Sequence, residues 1–133
     1  MQDTPPIRAR ILIVDDERSI ADTLAIILTK SGYDATAAYS RDTAITVAQR
    51  VAPALIVSDI QMPGMDGISA ALEIRKLLPD CHVILFSGYP ESHMKRAREN
   101  GLSILSKPLS PQTLLKHIHN ALKPKAKQNG AGC

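Results

Sequence analysis

Four stretches of this chain place reactive side chains directly after a short apolar run. Asp15, Asp16 and Glu17 follow the run at 11–14, and Ser58 and Asp59 follow the run at 54–57. Ser87 and Gly88 follow the run at 83–86, and Ser106, Lys107 and Pro108 follow a weaker run at 102–105. If the runs are neighbouring strands, Asp15, Asp16 and Asp59, the Ser87 hydroxyl and Lys107 meet at one rim. Three negative charges against one positive is an unstable balance, because crowded carboxylates raise one another's pKa until some protonate. A divalent cation relieves that conflict. Oxygen ligands with room for water suit Mg²⁺ or Mn²⁺ rather than zinc. A cation beside a free carboxylate and a lysine is the outline of a phosphoryl-transfer site, where charge on the equatorial oxygens must be stabilised. Lys107 and the cation supply that stabilisation, and the Ser87 hydroxyl adds a hydrogen bond. One acid is then the nucleophile and forms an acyl phosphate. The residues alone leave the choice among the acids open; Asp59 is favoured because Asp15 and Asp16 together look like a metal holder.

The elements that must position these groups can be read from the apolar pattern. The runs at 11–14, 54–57 and 83–86 are too short for helices and rich in β-branched residues, as strands buried on both faces are. Weaker strands fit 35–39 and 102–105, and their composition puts them toward the edges. Helical periodicity joins Ile20, Leu24, Ile27 and Leu28, with Gly32 as a stop signal. A second stripe runs through Ala44, Val47, Ala48 and Val51, with Ser40 or Asp42 as cap and Pro53 as terminator. A third, Ile68, Ala71, Leu72 and Leu78, closes at Pro79, and a last one runs from Leu114 to Leu122 behind Ser110 and Pro111. The helix expected over about 91–100 differs: Met94 and Ala97 are its only apolar residues, so it should pack lightly, where rearrangement costs least. Five β-α repeats give an α/β, doubly wound, five-stranded parallel sheet with helices on both faces. Ligands of such sheets bind beyond the carboxyl ends of the strands, where the reactive residues fall.

In these motifs the chain resembles the receiver domain of two-component response regulators. The resemblance rests on Val14-Asp15-Asp16-Glu17, on the segment from Ser58-Asp59 through Gln61-Met62-Pro63-Gly64-Met65-Asp66-Gly67, on Ser87-Gly88 and on Lys107-Pro108. It implies a flavodoxin-like strand order 2-1-3-4-5 and a receiver over 9–123; residues 1–8 are left as an N-terminal arm, and 124–133, with two lysines and no hydrophobic pattern, read as a disordered basic tail. It further implies that Asp59 is the phosphoacceptor. Asp16 and Asp59 would hold Mg²⁺ directly, Asp15 mainly through water, and the backbone carbonyl of Gln61 would complete the protein ligands. Ser87 would be the switch hydroxyl and Lys107 would contact a phosphoryl oxygen, with a cis Lys107–Pro108 bond. The implied donor is a phosphohistidine on a sensor histidine kinase or a histidine phosphotransfer domain, and the implied output is contact with a downstream protein target. Such a protein catalyses its own phosphorylation and dephosphorylation rather than turnover of a separate substrate.

Three positions bear on the switch and its lifetime. Ile104 stands three residues before the lysine, where receivers usually carry Tyr or Phe, so the ring switch in its usual form is missing. The expected substitute is the light helix together with Tyr89. Gln61 and Tyr89, each two residues past a site residue, would tune hydrolysis in opposite directions.

Composition narrows the alternatives. The 133 residues are 44% hydrophobic and 22% charged, the proportions of one soluble domain. Aromatics are 3%, too few for a base-stacking module, and no apolar run reaches the length of a membrane span or signal peptide. The cytoplasm is therefore the expected location, without nucleic acid or membrane as partner. The formal net charge of +3 is mostly tail, because Lys125 and Lys127 lie there. Lys95, Arg96 and Arg98 read as a solvated face. His117 and His119 diverge on their helix, and His82 and His93 suggest no catalytic base. Cys81 reads as a small buried hydrophobe and Cys133 as a free thiol. With no output module after residue 123, the reading is a stand-alone receiver; the main alternative is a degenerate receiver acting only as a protein-binding module. A flavodoxin-like cofactor binder would need a phosphate loop where Asp15 and Asp16 stand. An aspartate-based phosphatase would need an acid where Gln61 stands.

Overall fold

A computed structural model describes residues 8–62, 65–88, 90–108 and 110–123. In chain order the elements are β1 (Arg10–Val14), α1 (Arg18–Lys30), β2 (Asp34–Ala38), α2 (Arg41–Val51), β3 (Leu55–Asp59), β4 (Gln61–Met62), β5 (Met65–Asp66), α3 (Gly67–Leu77), β6 (His82–Ser87), α4 (Pro90–Glu99), β7 (Ser103–Ser106) and α5 (Pro111–Leu122). The main sheet has five parallel strands in the order β2-β1-β3-β6-β7. Counting only its members, this is the order 2-1-3-4-5, with the two compositionally weak strands at the edges as expected. The short antiparallel pair β4–β5 was not expected, since two-residue strands leave no periodic pattern to read. The expectations for the arm at 1–7, for Pro63 and Gly64, for Tyr89 and for the tail at 124–133 fall outside the described residues.

Side-chain alternation along the strands divides the core in two. Ile11 and Ile13 of β1, Leu55 and Val57 of β3, and Ile84 and Phe86 of β6 face α1 and α5, meeting Leu24, Leu28, Leu114 and Ile118. Leu12, Val14 and Ile56 face the other way, toward Val47 and Ala48 of α2 and Ile74 of α3. Farther along that second face, Val83 and Leu85 pack with Ile60, Ile68, Ala71, Ala97 and Leu102. A strand buried on both faces is why the central runs read as continuous apolar segments.

The helix ends follow local chemistry. Ser40 caps α2, its hydroxyl accepting from the Thr43 N–H at 3.2 Å, while Asp42 sits in the first turn. Ser110 caps α5 in the same way, with Pro111 opening the helix. Gly32, at φ +105°, takes the left-handed turn that releases the chain from α1. Cys81 is buried beside Leu12 and Ile74, and that burial pushes its thiol up to about 11. No helix among the described residues is long and apolar enough to cross a membrane.

Candidate phosphoryl-transfer site

The carboxyl ends of β1, β3, β6 and β7 converge as the apolar runs foretold. Asp15 continues the β1 ladder through its N–H, which donates to the Ala38 carbonyl at 3.1 Å, and its side chain is wholly buried. Its Oδ1 accepts from the Glu17 N–H at 2.9 Å, whereas its buried Oδ2 has no partner. Burial raises the Asp15 carboxyl from 3.8 to about 6, with Asp59 and Asp16 adding repulsion and the Glu17 N–H and Lys107 opposing it. Asp16 is exposed beside it. Neither side chain caps α1, whose N-cap is Glu17.

Asp59, the last residue of β3, is 2% exposed. Its Oδ1 accepts from the Gln61 N–H at 3.1 Å and its Oδ2 pairs with the Lys107 ammonium at 3.0 Å. The Ser58 hydroxyl donates to the Asp59 carbonyl at 3.0 Å. The same carbonyl explains Gly67: a Cβ there would clash with the Asp59 carbonyl oxygen and lie 2.7 Å from Ile60 Cα. The Gly67 N–H donates to the Ile60 carbonyl at 2.6 Å, so α3 starts hard against the end of β3. Only a residue without Cβ permits that approach.

Ser87 ends β6 and is fully buried, its backbone carbonyl accepting from the Lys107 N–H at 2.9 Å. The bond from Lys107 to Pro108 is cis, as the resemblance implied. The Lys107 ammonium also stands 5.4 Å from the centre of the Phe86 ring. Beside it lies an apolar cleft of about 470 Å³ bounded by Glu17, Ile20, Leu24, Phe86, Lys107 and Pro108.

The carboxylate oxygens of Asp15, Asp16 and Asp59 lie within 4.8 Å of one another, the one such metal-competent group among the described residues. None of the described histidines joins such a group. A larger cleft, about 760 Å³, lies at the opposite end of the strands, where Arg75, His82, His117 and Lys123 line it far from the acids. Ile104 is half-buried and packs against the cluster that holds Ala97 and Leu102.

Comparison with known proteins agrees with this arrangement. The profile of the response regulator receiver domain matches residues 11–119. The response regulator protein FleR of Pseudomonas aeruginosa is 32% identical over 109 residues, which are 80% of this chain and 23% of FleR. The chain thus spans about a quarter of that relative's length. The receiver domain protein of Methanospirillum hungatei is 28% identical, with a TM-score of 0.84 over 92% of this chain and 99% of its own. The chemotaxis protein CheY4 of Vibrio cholerae is likewise 28% identical, with a TM-score of 0.80 over 87% of this chain and 100% of its own. The chain belongs to the response regulator receiver domains of two-component systems.

Proposed function

We propose that this receiver accepts a phosphoryl group on Asp59 and returns it to water, switching protein contacts in between. The observation that carries the reading is the unpartnered, buried Oδ2 of Asp15, in a cluster with Asp16 and Asp59. A buried carboxylate oxygen without a donor is costly unless a cation or proton meets it. The all-oxygen character of the cluster fits Mg²⁺, held by Asp15, Asp16 and Asp59 with the Gln61 carbonyl as a further ligand. When bound, the cation supplies charge neutralisation for the phosphoryl oxygens.

The chain's own groups do the rest. A carboxylate oxygen of Asp59 attacks the phosphorus of a phosphohistidine, forming an O–P bond as the N–P bond to the imidazole breaks and the imidazole leaves. Lys107 already touches Asp59, and its ammonium is placed to exchange the carboxylate for a phosphoryl oxygen. Ser87, on the neighbouring strand, offers its hydroxyl to another phosphoryl oxygen. Water later cleaves the acyl phosphate, with Gln61 and Tyr89, each two positions past a site residue in the sequence, tuning the rate. The donor is a sensor histidine kinase or a histidine phosphotransfer domain.

The test is incubation with Mg²⁺ and a small acyl phosphate, followed by intact mass. We expect one phosphoryl adduct that is lost without Mg²⁺ and in Asp59→Asn. An unmodified wild-type chain with every donor would favour the degenerate, binding-only receiver.

A further inference from the structure

We infer that Arg75 and Arg96 are positioning residues that hold α4 in the conformation belonging to the closed Lys107–Asp59 pair, and so oppose engagement of Ser87 by a phosphoryl group. The inference rests on the reading of Asp59 as phosphoacceptor. It goes beyond that reading by naming what sets the resting position of the switch element.

The apolar hold on α4 is slight. Among its described side chains only Ala97 is buried, and Met94 is 38% exposed. Two arginine contacts to α3 take the place of apolar packing. The Arg96 Nη2 of α4 donates to the Ser69 hydroxyl of α3 at 2.8 Å. The Arg75 Nη1 of α3 donates to the Asn100 carbonyl at 2.8 Å, just past the end of α4. Asn100 is itself tied back, its side-chain amide donating to the Arg96 carbonyl at 2.8 Å. The arginines thus clasp α4 at its middle and at its C-terminal end, where a cation also suits the helix dipole.

The opposite end of α4 is joined to the site by a short connection. Pro90 begins the helix and Ser87 ends β6. The backbone on either side of that strand end is fixed, the Phe86 carbonyl accepting from the Ile60 N–H at 3.0 Å and the Ser87 carbonyl from the Lys107 N–H at 2.9 Å. The Ser87 hydroxyl can turn toward Asp59 by rotation of its side chain, and any backbone movement that accompanies the turn is taken up after residue 87, by the connection and by α4. A phosphoryl group on Asp59 would displace the Lys107 pair and draw Ser87 in. Contacts made only while α4 stays in place resist that step by their own free energy.

The test is titration of the Mg²⁺-loaded protein with fluoroberyllate, a phosphoryl mimic, in wild type, Ser69→Ala, Arg75→Gln and Arg75→Lys. The clasp predicts about three- to tenfold tighter fluoroberyllate binding in Ser69→Ala and Arg75→Gln. It predicts a return toward wild type in Arg75→Lys, which keeps a charged donor. Mg²⁺ affinity alone should stay unchanged. Lower melting temperature with unchanged or weaker fluoroberyllate affinity would mark a merely structural role and overturn the inference. If Arg75→Gln fails to fold, the milder Ser69→Ala, at a half-buried position, carries the decision. If wild type binds no fluoroberyllate, the phosphoacceptor reading fails, and amide hydrogen exchange judges the clasp separately. Faster exchange confined to α4 in Ser69→Ala supports it; unchanged exchange overturns it.

Discussion

Helices α3 and α4 lie on the same face of the sheet and are held there by different physics. α3 buries Gly67, Ile68, Ala70, Ala71 and Ile74, and its first residue is pressed against the Asp59 carbonyl. α4 buries Ala97 among its described side chains and leans on α3 through two arginines. Tight apolar packing admits no intermediate positions, whereas polar contacts at the surface exchange readily with water. The difference teaches a division of labour: α3 fixes the acceptor, and α4 is the element free to respond to it.

The harshest way to break the comparison is Gly67→Ala. The added Cβ meets backbone, not a side chain that could swing aside. We expect a loss of about 2 kcal/mol or more in urea unfolding, together with slower Asp59 phosphorylation. A stability near wild type would show that α3 yields as easily as α4.

A matched pair of substitutions sharpens the contrast. Ala71 of α3 is 2% exposed and Ala97 of α4 is 1% exposed, so burial alone predicts equal effects on enlarging them. If α3 is fixed and α4 yields, Ala71→Leu costs about 1–3 kcal/mol in urea unfolding and Ala97→Leu less than about 1 kcal/mol. Equal losses would erase the distinction.

The smallest expected effect concerns the acids that α3 helps to place. Because burial raises Asp15 to about 6, the folded protein holds this proton more tightly than the unfolded chain. Without Mg²⁺, stability should therefore fall as pH rises from about 4 to about 6 and level off above that window. Mg²⁺ competes with the same proton, so its affinity should be roughly tenfold weaker at pH 5 than at pH 8. Calorimetric titration at the two pH values checks this, and equal affinities would separate Asp15 from the cation.

Much of the rigid half was legible in the sequence. Continuous apolar runs announce strands covered on both faces, and a reactive residue directly after such a run must lie at the carboxyl edge. That logic brought Asp15, Asp59, Ser87 and Lys107 together without any contact being known. The lightly packed half was legible only as a deficit, in the two apolar residues of α4. Arg96 was read as part of a solvated face, yet it bonds to Ser69, 27 positions away in the chain. Nothing local marks such a pairing, because it depends on how two helices pack. The close approach behind Gly67 was hidden for the same reason: turn chemistry and steric necessity both select glycine. The β4–β5 pair escaped because its two-residue strands span a single strand period, too little for a repeat to show.

The division between a fixed acceptor and a yielding α4 is tested most directly by backbone amide NMR of the Mg²⁺-loaded protein with and without fluoroberyllate. The predicted result is a set of large shift changes at Asp59, Ser87 and Lys107 that continues through α4 to Asn100, with α3 beyond its first turn nearly unmoved. Equal changes in α3 and α4, or a silent α4, would contradict the account.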